Sequence, residues 1–229
     1  MVPKVIGRIG VILAASTLFA FAAAASTVSV TFTGTSVNSQ GGVYTDPYYG
    51  TVNGVPNVPI VCDDFSHHVT TGENWTANVS TFDSLTYVRF QQATQTETLE
   101  LYEQAGWLFD QLFVGANSSQ TGNISYALWA IFDQSQVESS SGWTTGGNST
   151  NPTSADGWLL DAENQTFYAG EFSNLEILTP VSGGSDSPQE YITWAPTPEP
   201  ASLLLLGSGL IALAFLVRPK KSTAPATLA

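Results

Sequence analysis

TQTETLELYEQAGWLFDQL, Thr94 to Leu112, is where the pattern of this chain changes period. Leu101, Ala105, Leu108 and Leu112 recur at helical spacing, with Tyr102 and Phe109 beside them. Residues three and four apart share one face of an α-helix. Thr94 and Glu97 stand ahead of this run at the spacing of a capping box. Glu97, Glu100 and Glu103 read as a solvated face of the same helix.

Upstream the period is two. Val28, Val30 and Phe32 alternate with Ser29, Thr31 and Thr33, and Trp75, Ala77 and Val79 with Thr76, Asn78 and Ser80. Such alternation predicts half-buried strands. A third strand is expected over Val58 to Phe65, and Asn53-Gly54 is a hairpin signal. Downstream, Ile124, Ala127, Leu128 and Ile131 make a second helix face. Ala155, Trp158, Leu159 and Ala162 make a third, with Thr153 and Asp156 spaced as a capping box. Ser139 to Asn151 reads as a long surface loop. Strand character returns near Phe172 to Leu178 and Tyr191 to Trp194, with Ser182 to Ser187 as the turn between them. Strands first, helices in the middle and strands last predict an α+β domain. It is expected to hold an antiparallel β-sheet or sandwich with a central group of about three helices, the first and last strands pairing in that sheet.

The two ends are of another kind. Lys4 and Arg8 precede an apolar run from Ile9 to Phe21, and Ala22 to Ala25 are small. Charge, apolar core and small residues in that order predict a secretory signal peptide over residues 1–25, cut by signal peptidase after Ala25. Near the other end, Ala201 to Val217 is apolar or small throughout, and Arg218, Lys220 and Lys221 follow it. At ~1.5 Å per residue the run covers most of a ~30 Å hydrocarbon core. It predicts a transmembrane helix over 202–217 in the inner membrane, with the basic side facing the cytoplasm. Residues 26–196 are then the exported α+β domain, and 222–229 a short cytoplasmic tail.

Pro198-Glu199-Pro200, a short apolar helix and a basic stop at Arg218 follow one another in that order. This arrangement resembles the PEP-CTERM sorting signal of Gram-negative bacteria that secrete exopolysaccharide, here over 197–221. The resemblance implies recognition and processing near Pro198-Glu199-Pro200 by an exosortase, a membrane cysteine protease-transpeptidase. The helix would then hold the protein only until processing, after which it is at the cell surface or extracellular. The tail from Ser222 to Ala229 departs from the family, whose members commonly stop soon after the basic residues.

Charge narrows the function classes. All of the 19 acids lie between Asp46 and Glu199, and of the 6 basic residues only Arg89 falls between the targeting segments. A domain this anionic repels nucleic acid and acidic polysaccharide. A neutral glycan, a cation-bridged partner or another surface protein stays open as a partner. Cys62 is the one cysteine, so no intramolecular disulfide is available.

Val61-Cys62-Asp63, together with Ile124, Leu128 and Trp129, resembles the layout of surface thioester domains of Gram-positive adhesins. There a strand cysteine and a glutamine ahead of an apolar-Trp pair condense to a thioester. The glutamine position is Ser125 here, and serine has no carboxamide carbon to acylate the thiol. Cys62 and Ser125 would thus be a degenerate pair, the fold kept and the bond lost.

Other chemistry is less marked. On an extended strand His67 would stand about 16 Å from Cys62, and His67 and His68 would point to opposite faces. A thiolate–imidazole pair therefore needs a sharp turn. Asp63 and Asp64, with His67, are candidate oxygen and nitrogen donors for a cation but form no EF-hand. Paired carboxylates of a glycosidase have no distinguishing spacing. Among the tryptophans, Trp143 lies in the polar loop and would be a glycan contact if exposed. Asn-x-Ser/Thr triplets at Asn74, Asn78, Asn117, Asn123, Asn148 and Asn164 reflect composition. The expectation is a non-enzymatic, cofactor-free and metal-free structural or adhesive protein of the surface or extracellular polysaccharide. The alternative is a secreted carbohydrate-binding module or glycan hydrolase.

Overall fold

The alternating first segment forms β1 (Thr27–Thr35), with Val30 and Phe32 buried and Thr27, Ser29 and Thr33 exposed. A computed structural model describes residues 26–35, 37–45, 47–114, 118–150, 152–184, 186–196 and 208–209. A two-stranded sheet of β2 (Ser39–Gln40) and β3 (Val43–Tyr44) follows β1. Then come β4 (Tyr48–Val52), β5 (Val55–Cys62) and β6 (Asn74–Thr81). The turn between β4 and β5 is Asn53-Gly54, both at positive φ (50° and 83°). That geometry is the hairpin turn for which Asn-Gly is suited.

Three helices separate β6 from the last strands: α1 (Gln95–Phe113), α2 (Ser118–Glu138) and α3 (Ala155–Glu163). The Thr94 and Glu97 side chains close a capping box at the start of α1. For α3 the expected box does not form. Ser154 is the N-cap and its hydroxyl bonds the Asp156 carboxylate instead of capping the helix, while Asp156 accepts from the Gly146 and Gly147 amides. Asp156 is thereby committed to holding the loop between α2 and α3. Helix α2 is broken at Asp133 (φ −143°, ψ 63°).

β7 (Leu175–Pro180) and β8 (Tyr191–Trp194) complete the sheet, which closes as an antiparallel barrel in the order β1-β4-β5-β8-β7-β6. The strands and three central helices agree with the α+β reading, but two points differ. The sheet is a closed barrel, which leaves no edge strand to protect. The first and last strands share it without being neighbours: β1 lies between β4 and β6, and β8 between β5 and β7. The physical reason is that β4–β5 and β7–β8 are local hairpins, and only closing the ring pairs β5 with β8 and β6 with β7.

The core runs from the barrel into the helical layer. Tyr191 stacks on Trp75 and meets Tyr48 edge-on inside the barrel. Phe109 and Phe113 of α1 pack on Trp194 of β8. Gly106 lets α1 approach the Phe82 and Phe172 rings, which a Cβ would meet at 3.1–3.2 Å. The chain divides into one unit through Trp194 and another from Ala195. The expected signal peptide with Ala25, and Pro198, Glu199, Pro200 and Arg218, lie outside the described residues. So does the 202–217 span except Ser208 and Gly209, which are helical. Among the described residues no helix is long and apolar enough to cross a membrane.

Candidate functional site

Arg89 is the only lysine or arginine between Arg8 and Arg218, so its partners mark a place where charge is concentrated. It lies in the turn between β6 and α1. Its guanidinium pairs with Asp64, and also donates to Ser187 Oγ and the Pro188 carbonyl, each at 2.9 Å. Asp64, which is 0% exposed, also receives the His67 ring nitrogen at 2.9 Å. The Arg89 backbone N–H donates to Glu190 Oε2 at 2.8 Å. Tyr102 of α1 donates its hydroxyl to Glu190 Oε1, and Thr179 of β7 donates to Oε2. Glu190 is fully enclosed just before β8.

Asp63 completes the set. It is 0% exposed, and neither carboxyl oxygen faces a donor as a carboxylate. Burial first, and then the neighbouring Glu190 and Asp64, hold its carboxyl well above the usual carboxylate range. Burial raises Glu190 too, against the hydrogen bonds it accepts from Thr179, Tyr102 and Arg89. A proton would resolve the conflict: once protonated, Asp63 is a donor toward the neighbouring Glu190 carboxylate. Burial and the facing Glu190 likewise raise the Tyr102 phenol, which stays a donor.

Cys62 closes β5 one residue earlier. Its thiol donates to the Asp64 carbonyl at 3.1 Å and accepts the Asp64 N–H at 3.3 Å, and it is fully buried. The chain turns here instead of continuing extended, which carries His67 to Asp64 rather than to the thiol. Trp129 of α2 donates its indole N–H to the Cys62 carbonyl at 2.9 Å. Ser125 lies one helical turn before Trp129, is fully buried, and donates to the Thr121 carbonyl at 3.0 Å. The two segments grouped from sequence therefore meet through Trp129. Trp143 lies in the α2–α3 loop, half-buried and packed against the core. Among the described residues no group of three or more His, Cys, Asp or Glu side chains is arranged to hold a metal ion.

Beside this enclosed set lies a cleft of about 390 Å³. Phe32 and Tyr48 line it from the barrel, Tyr44 from β3, Phe65 and His68 from the β5–β6 loop, and Trp129 from α2. Gln189 separates it from the acids, donating to the Asp64 carbonyl at 2.9 Å and accepting from Tyr191 at 3.1 Å. The β2–β3 turn that forms one wall is tied to α2. Gln40 donates to Asn123 Oδ1 (3.0 Å) and to the Gly142 carbonyl (2.7 Å), and its own carbonyl accepts from Tyr126 (3.2 Å). Gly142 is required there, since a Cβ would lie 2.0 Å from the Tyr126 hydroxyl.

Sequence reasoning had Asp63, Asp64 and His67 but missed Glu190, Tyr102 and Thr179. The available signal was Arg89 itself: a lone base in an acidic domain finds a buried acid. The cleft has no sequence signal, because its walls come from β1, β3, β4, a loop and α2.

Residues 196–221 match the PEP-CTERM protein-sorting motif. The chain is thus an exported surface protein by its sorting signal, and the motif implies processing by an exosortase. No curated protein matches the chain. Among solved structures, the N-terminal domain of the Streptococcus pyogenes pilus tip adhesin Cpa is similar, with TM-score 0.43 and 7% identity. The match covers 75% of this chain and 94% of that one.

Proposed function

We propose that this protein is a non-catalytic, adhesive component of the cell surface or its extracellular polysaccharide. The signal peptide is removed at Ala25. The helix over 202–217 holds the chain in the inner membrane until an exosortase acts near Pro198-Glu199-Pro200. The observation that carries this reading is the sorting motif at 196–221, downstream of one folded domain.

The chemistry of the acid set supports binding over catalysis. A glycosidase needs two carboxyls facing each other across a substrate-accessible space. Asp63 and Glu190 are instead both 0% exposed, and Glu190 is held by the Arg89 and Tyr102 donors. Cys62 and Ser125 serve as a packed thiol and a helix hydroxyl; without a carboxamide at Ser125 no thioester can form.

The test is intact mass and location of the protein recovered from its native host. Wild type is expected outside the inner membrane, shortened at both ends. Glu199→Ala is expected to remain in the membrane fraction with its C-terminal segment intact. Equal release and equal mass for the two forms would overturn the reading.

A further inference from the structure

We propose that the cleft beside Gln189 binds an organic ammonium group, quaternary or protonated, carried on a small apolar or sugar body. This rests on the reading of the domain as a binding module and names its ligand class. The cavity, about 390 Å³, is at the small end of the ~300–1,000 Å³ typical of small-molecule sites. Two aromatic pairs line it: Phe32 with Tyr48 (ring centroids 5.9 Å apart) and Phe65 with Trp129 (5.2 Å). Tyr44, 61% exposed, stands free at the mouth. Aromatic faces attract a cation through their quadrupole.

Charge selects the cation over a neutral ring. Among the described residues lining the cleft there is no lysine, arginine or carboxylate. The carboxylates lie just behind. Asp64 and Glu190 flank the Gln189 floor in the enclosed set. Glu73 accepts from the Thr70 N–H at 2.9 Å, between the lining residues Val69 and Thr71. Asp133 accepts from Ser66, next to Phe65, at 3.1 Å. Arg89 offsets Asp64 by pairing with it, so the negative charge near the cleft is that of Glu190, Glu73 and Asp133. Carboxylates behind low-dielectric aromatic walls focus negative potential into such a cleft. An anionic ligand is therefore disfavoured, and a neutral ring gains stacking alone.

The walls are also fixed in advance. The β2–β3 turn is bonded to Asn123, Tyr126 and Gly142, and Tyr48 donates to the Tyr44 carbonyl at 2.8 Å. A preformed site lowers the ordering cost of binding.

The test titrates the full chain at low ionic strength by calorimetry, with two matched pairs of probes. One pair is choline and its analogue with carbon in place of the quaternary nitrogen. The other is glucosamine and glucose. We expect at least one ammonium compound to bind on the order of tenfold tighter than its neutral match. That affinity should fall as salt rises from about 20 to about 200 mM. Tyr44→Ala and Phe65→Ala should each weaken it several-fold. Tyr44→Ala should do so with an unchanged unfolding midpoint, because the side chain is largely exposed. Neutral probes binding as tightly as the ammonium compounds would overturn the assignment in favour of a neutral-sugar cleft. Absence of binding by all four, or ammonium binding indifferent to both substitutions, would overturn it outright. Either failure would leave the processing result for Glu199→Ala untouched, so this assignment and the surface reading fall separately.

Discussion

The acid set and the cleft share Gln189 and differ in almost everything else. One is charge-dense, fully enclosed and saturated with internal partners. The other is open, aromatic and lined without a lysine, arginine or carboxylate. The contrast teaches that the conspicuous ionisable residues of this domain serve its architecture. Arg89, Glu190 and Tyr102 tie the turn after β6, the start of β8 and helix α1 together, where the barrel meets its helical layer. The surface left for recognition is the one without charges of its own.

The comparison breaks most visibly at Arg89. Arg89→Met leaves Asp64 buried without its counter-ion. Removing one partner of a buried pair costs about 3–5 kcal/mol, so chemical denaturation should show a large loss of stability or an unfolded chain. Tyr102→Phe removes the donor to Glu190 Oε1 and should cost about 1–3 kcal/mol. On the cleft side, Gly142→Ala forces the Tyr126 ring and the β2–β3 turn apart. It should cost about 1–3 kcal/mol by overpacking and weaken ligand binding with it.

Acidity gives a sharper probe of the enclosed set. Asp63 and Glu190 are raised in the folded protein above their unfolded values of about 4. The folded state therefore binds more protons than the unfolded one as pH rises past about 4, and stability falls with pH. The contribution is fully present below about pH 4 and is lost as pH climbs through the folded-state values. Asp63→Asn keeps a donor toward Glu190 without a titrating proton. Unfolding measured across pH should show a flatter profile for this variant and higher stability than wild type at the alkaline end. The smallest effect belongs to the cleft mouth: Tyr44→Ala should change stability by no more than about 0.5 kcal/mol while weakening ammonium binding.

The period change at Thr94–Leu112 was legible because helix and strand write different spacings, and α1 kept its capping box. The Asn53-Gly54 turn was legible for the same local reason. Barrel closure was not, because the β5–β8 and β6–β7 pairings join residues far apart in sequence. The α3 cap differs from its sequence pattern: Thr153 and Asp156 have the right spacing, yet Ser154 and two loop amides take up the carboxylate. Of the enclosed set, the Asp63-Asp64 pair was visible as adjacent acids. Glu190 looked like an ordinary polar residue before a strand, and only the fold brings it to Tyr102 and Thr179. Trp143, conspicuous in a polar loop, turns inward to half-burial. Tyr44, unremarkable in sequence, stands exposed at the cleft.

The division between a closed structural set and an open binding cleft rests on a proton held by Asp63. The direct measurement is the carboxyl-carbon chemical shift of Asp63 in the full chain, followed by NMR from acid to neutral pH. A signal that stays at the protonated-carboxyl position at neutral pH is the predicted result. A signal that moves to the carboxylate position in the ordinary aspartate range would contradict it.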